Sequence, residues 1–429
     1  MKKYVLKCLE CGTEYQDDYL RLKCDAHHSP SLLRSIYSKK RIDLDWNKPG
    51  MFRFYDFLPV EQFLEVKGGP VTYRSEGLAR HLGLENLYII FNGYWPERNA
   101  LMKTVSFKEL EAPSVMARAS NLDGGAIVVA SAGNTGRAFA GICSRNNMPL
   151  VLVIPESSAA EIWSTEPFNE QKVKLFLASG NSDYYDAISL AEKITCMDGF
   201  FPEGGTANIA RRDGMATTVL DAAYTMGRIP HHYFQAIGSG AGGIAAWEAF
   251  ERLKEDRRFG NTLMKLHFSQ NHPFVPMVEA WKQGLDHIPA MDENNAKDKI
   301  NQISAKVLSN RKPPYSITGG VRQVLEESGG EMYSVTNQEV YSCVHLFQEL
   351  EGVDICEAAG VAVGSLVQAV REKKVDNQDY IALNITGGGY NKLRKGHNLY
   401  YLSPCAKFTD REIASPDIMS KPEEVFTAV

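Results

Sequence analysis

The feature that most constrains this chain is a short apolar run, Ala126-Ile127-Val128-Val129-Ala130, that ends in Ser131-Ala132-Gly133-Asn134-Thr135-Gly136. An unbroken apolar run bounded by a turn reads as a strand buried on both faces, as in a parallel sheet covered by helices. Helical periodicity follows over Arg137–Arg145, and Leu150–Ile154, closed by Pro155, is the next strand, so the segment forms a βαβ unit. The same grammar returns twice. Tyr233–Ile237 is a strand followed by Gly238-Ser239-Gly240-Ala241-Gly242-Gly243 and a helix over Ile244–Leu253, and Tyr380–Ile385 ends in Thr386-Gly387-Gly388-Gly389. An α/β fold with a largely parallel sheet is expected, with three glycine-bearing loops at the carboxyl ends of strands, where open sheets bind ligands.

Composition narrows the function classes. A net charge of -5, with no basic stripe interleaved with aromatics, argues against a nucleic-acid binder. No apolar run is long enough to span a bilayer, and Lys7 and Glu10 interrupt any signal-peptide core, so no membrane partner and a cytoplasmic location are expected. Eight cysteines in a chain of 429 residues point to a reducing compartment. Ser309–Pro314 reads as a flexible surface loop.

Each loop has two readings. Gly238–Gly243 matches G-x-G-x-x-G, but the next strand ends near Ser269-Gln270-Asn271 without the acid that a dinucleotide site wants, which favours simple phosphate cradling. Ser131, Asn134 and Thr135 suit a carboxylate or a phenolic oxygen, and equally an ordinary capped turn. Lys108 lies between Phe107 and a mostly apolar stretch through Val115-Met116-Ala117. A lone lysine is usually a surface charge; desolvated here, it would be a usable imine-forming amine.

Ser106-Phe107-Lys108, the Ser131–Thr135 loop, the glycine loop and Asn384-Ile385-Thr386-Gly387-Gly388-Gly389, in that order over about residues 59–390, resemble the fold-type II pyridoxal-phosphate enzymes. The resemblance implies a tryptophan synthase β-like fold with two open, twisted, mainly parallel sheets. It implies a small mobile domain over 96–214, a large domain over 48–95 and 215–429, and an N-terminal ribbon over 1–47. Pyridoxal 5'-phosphate would be carried on Lys108, which would also shuttle the Cα proton. Asn134 would bond the cofactor's phenolic oxygen, Thr386 would face its pyridine nitrogen, and Gly238, Ser239, Gly240, Ala241, Gly242 and Gly243 would hold its phosphate. Ser131, Ala132 and Thr135 would grip the substrate carboxylate.

Within that group the chain is most similar to the threonine synthase branch. Threonine synthases typically continue Ser-Phe-Lys-Asp-Arg, whereas here Glu109-Leu110 follow and Pro113 is expected to interrupt the helix. That departure, the ending Thr386–Tyr390 and the entry segment Met51–Val60 resemble the cysteate synthases, which implies O-phosphoserine and sulfite as small-molecule substrates, a role in coenzyme M synthesis and a homo-oligomer. Threonine synthesis from O-phosphohomoserine and water is the alternative, followed by another β-substituted alanine synthase; a non-catalytic binding protein is disfavoured because the cofactor-facing positions occur together. Anionic substrates want cations, and Arg118, Arg137, Arg211 and Arg212 are the candidates, each of which also reads as a solvated arginine.

Cys8-x2-Cys11 followed by Cys24-x2-His27 has the spacing of a structural zinc knuckle, the last ligand being His27 or its neighbour His28. A ribbon that has lost its metal and folds by packing is the competing reading. The other five cysteines read as core or bystander residues.

Overall fold

The computed structural model describes residues 2–415, with the exception of Asp123, Ala132 and Asn181. Two sheets organise the chain. Ala126–Ala130, Leu150–Pro155, Val173–Ser179, Phe200–Pro202 and Pro404–Thr409 form one, all parallel, with Ala126–Ala130 between Phe200–Pro202 and Leu150–Pro155. The other orders Glu331–Val335, Lys265–Asn271, His232–Ala236, Tyr380–Ile385, Asn86–Phe91 and Val71–Arg74, and only the last pair is antiparallel. Two mainly parallel sheets are therefore present, as expected. Ala126–Val129 and all of His232–Ala236 are buried, as strands with helices on both faces are.

Pro404–Thr409 departs from the expected division at 215–429. It pairs with Val173–Ser179, so the chain returns late to the five-stranded sheet, where the Phe408 ring packs at a tilt against Phe176, 5.6 Å between centroids.

Helix boundaries follow local chemistry. Asn208 caps Ile209–Met226 through its side chain, and Asp183 and Thr336 each form a reciprocal capping box, for Tyr184–Ile194 and Asn337–Glu351. The expected break at Pro113 is absent: Lys108–Ala119 runs through it as one helix. Proline's fixed φ is helical, and the one lost hydrogen bond is tolerated where Leu110 to Arg118 are buried throughout.

The N-terminal segment is a three-stranded antiparallel sheet, Tyr4–Cys8 flanked by Glu14–Tyr15 and Leu33–Tyr37. Its Leu6 and Leu33 are fully buried in the same core as the helix Lys108–Ala119. No helix among the described residues is long and apolar enough to cross a membrane.

Candidate active site

The carboxyl ends of the central strands face one cavity of about 770 Å³, lined by Lys108, Ser131, Asn134, Thr135, Gly238–Gly242 and Thr386. Lys108 opens its helix directly after Ser106-Phe107, and that turn is stitched to the Thr386 loop. The Phe107 N–H donates to the Thr386 carbonyl at 3.0 Å, and Ser106 bridges Gly387. Two segments nearly 280 residues apart in sequence thus present one surface.

Gly238-Ser239-Gly240 links the strand His232–Ala236 to the 16-residue helix Ala241–Asp256. Gly240 has φ 82°, a left-handed conformation that a side chain would strain. A Cβ at Gly242 would lie 2.5 Å from Gln235 Nε2 and 3.0 Å from the Phe107 ring, so bare backbone fills the space there. Together they leave a helix N-terminus with its unpaired amides on the cavity, which suits a phosphate. Gly243 sits one residue further into the helix and outside the cavity lining, where a Cβ would meet the Phe268 ring at 2.4 Å. Glycine is required there by packing on the sheet.

The Ser131 loop shows both of its readings at once. Ser131 Oγ accepts from the Gly133 and Gly136 amides at 3.2 and 2.8 Å, so it holds the turn. The amides of Asn134 and Thr135 then remain as first-turn donors. Asn134 Oδ1 accepts from Arg137, which leaves its NH2 as the donor to offer a phenolic oxygen. Ala132 lies outside the described residues.

Lys108 Nζ stands 3.0 Å from Glu111 Oε2, whose other oxygen accepts from Thr135 Oγ1 at 2.9 Å. Burial pulls the Lys108 amine below the ordinary lysine range, with Glu111 opposing. Burial would raise the Glu111 carboxyl, but Arg211 and Lys108 hold it below the usual range. Glu111 was not expected. Its signal was available, since a glutamate three residues after a lysine shares its helix face.

The four arginines are not solvated, and three lie outside the cavity lining. Arg118 is bidentate to Asp17 at 2.6 and 2.8 Å, Arg212 binds Glu248 at 3.1 Å, and Arg137 lies over Trp163. Arg211 does line the cavity, but it is bidentate to Glu203 at 2.7 and 2.8 Å. The cavity wall also takes in Lys306, Leu308, Ser309, Asn310, Lys312 and Pro313, so the stretch read as a plain surface loop forms part of the site. Periodicity carries no signal for a wall made by a loop.

The cysteine cluster is real but differs by one residue. Cys8, Cys11, Cys24 and His28 place one ligand atom each within 4.8 Å of one another. Cys11 and Cys24 sulfurs are 3.6 Å apart, and Cys8 Sγ is 3.4 Å from His28 Nε2. His28 donates Nδ1–H to the Ser29 carbonyl at 2.6 Å, which turns Nε2 inward, while His27 is exposed outside the cluster.

The residues around the cavity fit pyridoxal phosphate: a half-buried amine, an anion cradle of bare backbone, and hydroxyl and amide donors between them. A family model described as pyridoxal-phosphate dependent enzyme matches residues 70–387. Among solved structures, the chain shares the fold of a pyridoxal 5'-phosphate-dependent aspartate racemase, with a TM-score of 0.54, 15% identity and coverage of 74% of this chain and 90% of that one. It likewise resembles O-acetyl serine sulfhydrylase isoform 3 from Entamoeba histolytica, with a TM-score of 0.55, 17% identity and coverage of 76% and 88%. Cysteate synthase of Methanosarcina mazei is 48% identical over 97% of this chain and 100% of its own length. That of Methanocorpusculum labreanum is 49% identical over 92% and 95%. With a match of this identity along nearly its whole length, the chain belongs to the pyridoxal-phosphate dependent enzymes and, within them, to the cysteate synthase family.

Proposed function

We propose that the chain converts O-phospho-L-serine and sulfite to L-cysteate and phosphate, with pyridoxal phosphate carried on Lys108. The observation that carries the reading is the convergence of Lys108 Nζ and three loops from distant strands on one cavity. Bound pyridoxal phosphate supplies an electron sink for charge developed at the substrate's Cα.

The chain's own residues do the rest. Lys108 Nζ takes the Cα proton, for which its lowered basicity suits it. Phosphate leaves Cβ and the sulfite sulfur takes its place. Thr386 offers a neutral hydroxyl to the pyridine nitrogen, and Asn134 donates to the phenolic oxygen. Gly238 to Gly242 hold the cofactor's phosphate by backbone N–H groups. Ser131 Oγ accepts from two turn amides and keeps its own O–H as a donor, which joins the amides of Asn134 and Thr135 toward the substrate carboxylate. Lys312 brings positive charge to the cavity that receives two anions, whereas the Lys306 ammonium is held by the Ile300 and Asn301 carbonyls at 2.8 and 2.6 Å.

The Cys8, Cys11, Cys24 and His28 cluster is proposed to hold structural zinc, whose tetrahedral thiolate ligands stand roughly 3.8 Å apart. A two-lobed division about the two sheets, with 404–409 joined to the 96–214 lobe, is part of the same reading. So are a homo-oligomer, a cytoplasmic site of action and a place in coenzyme M synthesis.

The test is a substrate pair. Purified chain with O-phosphoserine and sulfite should release phosphate and form cysteate, and Lys108→Ala should lack both the turnover and the visible cofactor band. Threonine from O-phosphohomoserine, with O-phosphoserine inert, would overturn the reading. Metal analysis of the purified chain should find one zinc, lost in Cys11→Ser.

A further inference from the structure

Glu111 is buried inside the site, and the reaction just described does not use it. We infer that Glu111 is a positioning residue that holds the Lys108 ammonium whenever Nζ is not joined to the cofactor, and so governs the amine's capture of it. The inference rests on the reading of Lys108 as the cofactor lysine.

Three contacts carry it. Glu111 Oε2 accepts from Lys108 Nζ at 3.0 Å, Oε1 accepts from Thr135 Oγ1 at 2.9 Å, and Arg211 Nη2 lies 3.6 Å from Oε1. The three partners come from three different helices: Lys108 from the same helix, one turn back, Thr135 from Asn134–Arg145 and Arg211 from Ile209–Met226. Carboxylate orientation is thus determined from three sides, and of the two cations Arg211 is anchored in turn by Glu203, which leaves Lys108 the freer to move. The remaining ionisable groups facing this point are Glu203, bidentate on Arg211, and Tyr184 of the helix Tyr184–Ile194. Lys108, Arg211, Glu111 and Glu203 therefore form a closed set of two cations and two anions.

That balance has a consequence for turnover. When Lys108 is released, its Nζ must take the Cα proton and remain close by as an ammonium. A buried ammonium without a counter-charge is expelled or deprotonated. Glu111 accepts it one helical turn from its own Cα, so the proton stays on Nζ within reach of the cavity. Burial and Glu111 act on the amine in opposite directions, with burial the larger, which agrees with a carboxylate that restrains rather than abolishes its reactivity.

The experiment uses the full chain stripped of cofactor, with pyridoxal phosphate as the probe. The rate at which the visible band forms is followed against pH. Capture needs the neutral amine, so the rate climbs as Lys108 loses its proton. Glu111→Gln removes the charge that favours the ammonium, which lowers the amine's pKa. The rising limb should move to lower pH by roughly one unit, a change of about tenfold in capture rate along it. Glu111→Asp keeps the charge and should move the limb less, in the same direction. A merely structural glutamate would cost thermal stability and leave the limb where it is, and an unmoved limb overturns the inference. If Glu111→Gln does not fold, Glu111→Asp decides by the same criterion. A band that survives in Lys108→Ala would instead overturn the assignment of the cofactor lysine.

Discussion

At the residue scale, the site depends on what individual positions leave out. Gln235 sits beneath the glycine loop with its Oε1 committed to Tyr233 Oη at 2.6 Å and Asn384 Nδ2 at 2.8 Å. A methyl added at Gly242 would press on that amide from 2.5 Å, and moving it aside would break the two hydrogen bonds of its Oε1. Gly242→Ala should therefore fold with a loss of about 1–3 kcal/mol, the usual cost of overpacking. It should also retain pyridoxal phosphate poorly, read by dialysis against the visible band. Undiminished retention would show that this glycine serves only the sheet. Lys108, Asn134, Thr135 and Thr386 all line the cavity; the turns bearing Asn134, Thr135 and Thr386 announce themselves through glycine, serine and asparagine, whereas Lys108 was reached through the family resemblance. Sequence reasoning left the last cluster position between His27 and His28, because two adjacent histidines on a loop differ only in backbone direction, and the structure turns His28 inward.

At the element scale, neighbouring strands carry a buried polar chain that periodicity could not foretell. Asp379 Oδ2 meets His232 Nε2 at 3.0 Å, His232 Nδ1 meets His267 Nε2 at 2.8 Å, and His267 Nδ1 meets the Tyr333 hydroxyl at 2.9 Å. Both imidazoles are satisfied when neutral: His232 donates to Asp379, His267 donates to His232, and Tyr333 donates to His267. Burial lowers the basicity of both, and that of His267 well below the ordinary value of 6.5. The unfolded chain then binds more protons than the folded one as the pH drops below about 6.5, so stability is present above that pH and is lost on acidification. Thermal midpoints should fall from about pH 6.5 downward, and His267→Gln should flatten that slope while lowering the plateau. Parallel slopes for wild type and variant would exclude the histidine chain as the cause. The strands themselves were legible as apolar runs. The helix Lys108–Ala119 was not, because its proline is a breaker in isolation and is tolerated only inside a packed interior.

At the scale of the whole molecule, the N-terminal ribbon is part of the core. Asp17 binds Arg118 through both carboxylate oxygens, and Ser35 and Tyr37 each donate to Asp213 at 2.6 Å, so the ribbon supplies polar partners to the helices behind the site. Asp17→Ala would leave the Arg118 guanidinium buried without its counter-charge, a loss of about 3–5 kcal/mol. Chemical denaturation should show that loss while the residual folded fraction still binds pyridoxal phosphate. A change below about 1 kcal/mol would instead make this an ordinary surface pair. The order of strands and glycine loops was determined by the sequence alone, since each is carried by contiguous residues whose local chemistry suffices, and the family by four short motifs standing in one order; Lys108 taken by itself was only a lysine beside a phenylalanine. Only the tertiary structure decided that Pro404–Thr409 closes the first sheet, that Lys306–Pro313 walls the cavity, that four arginines are spoken for, and that Glu111 stands beside Lys108. Each of those depends on which distant groups are brought within a few ångströms, and no local pattern encodes such a distance.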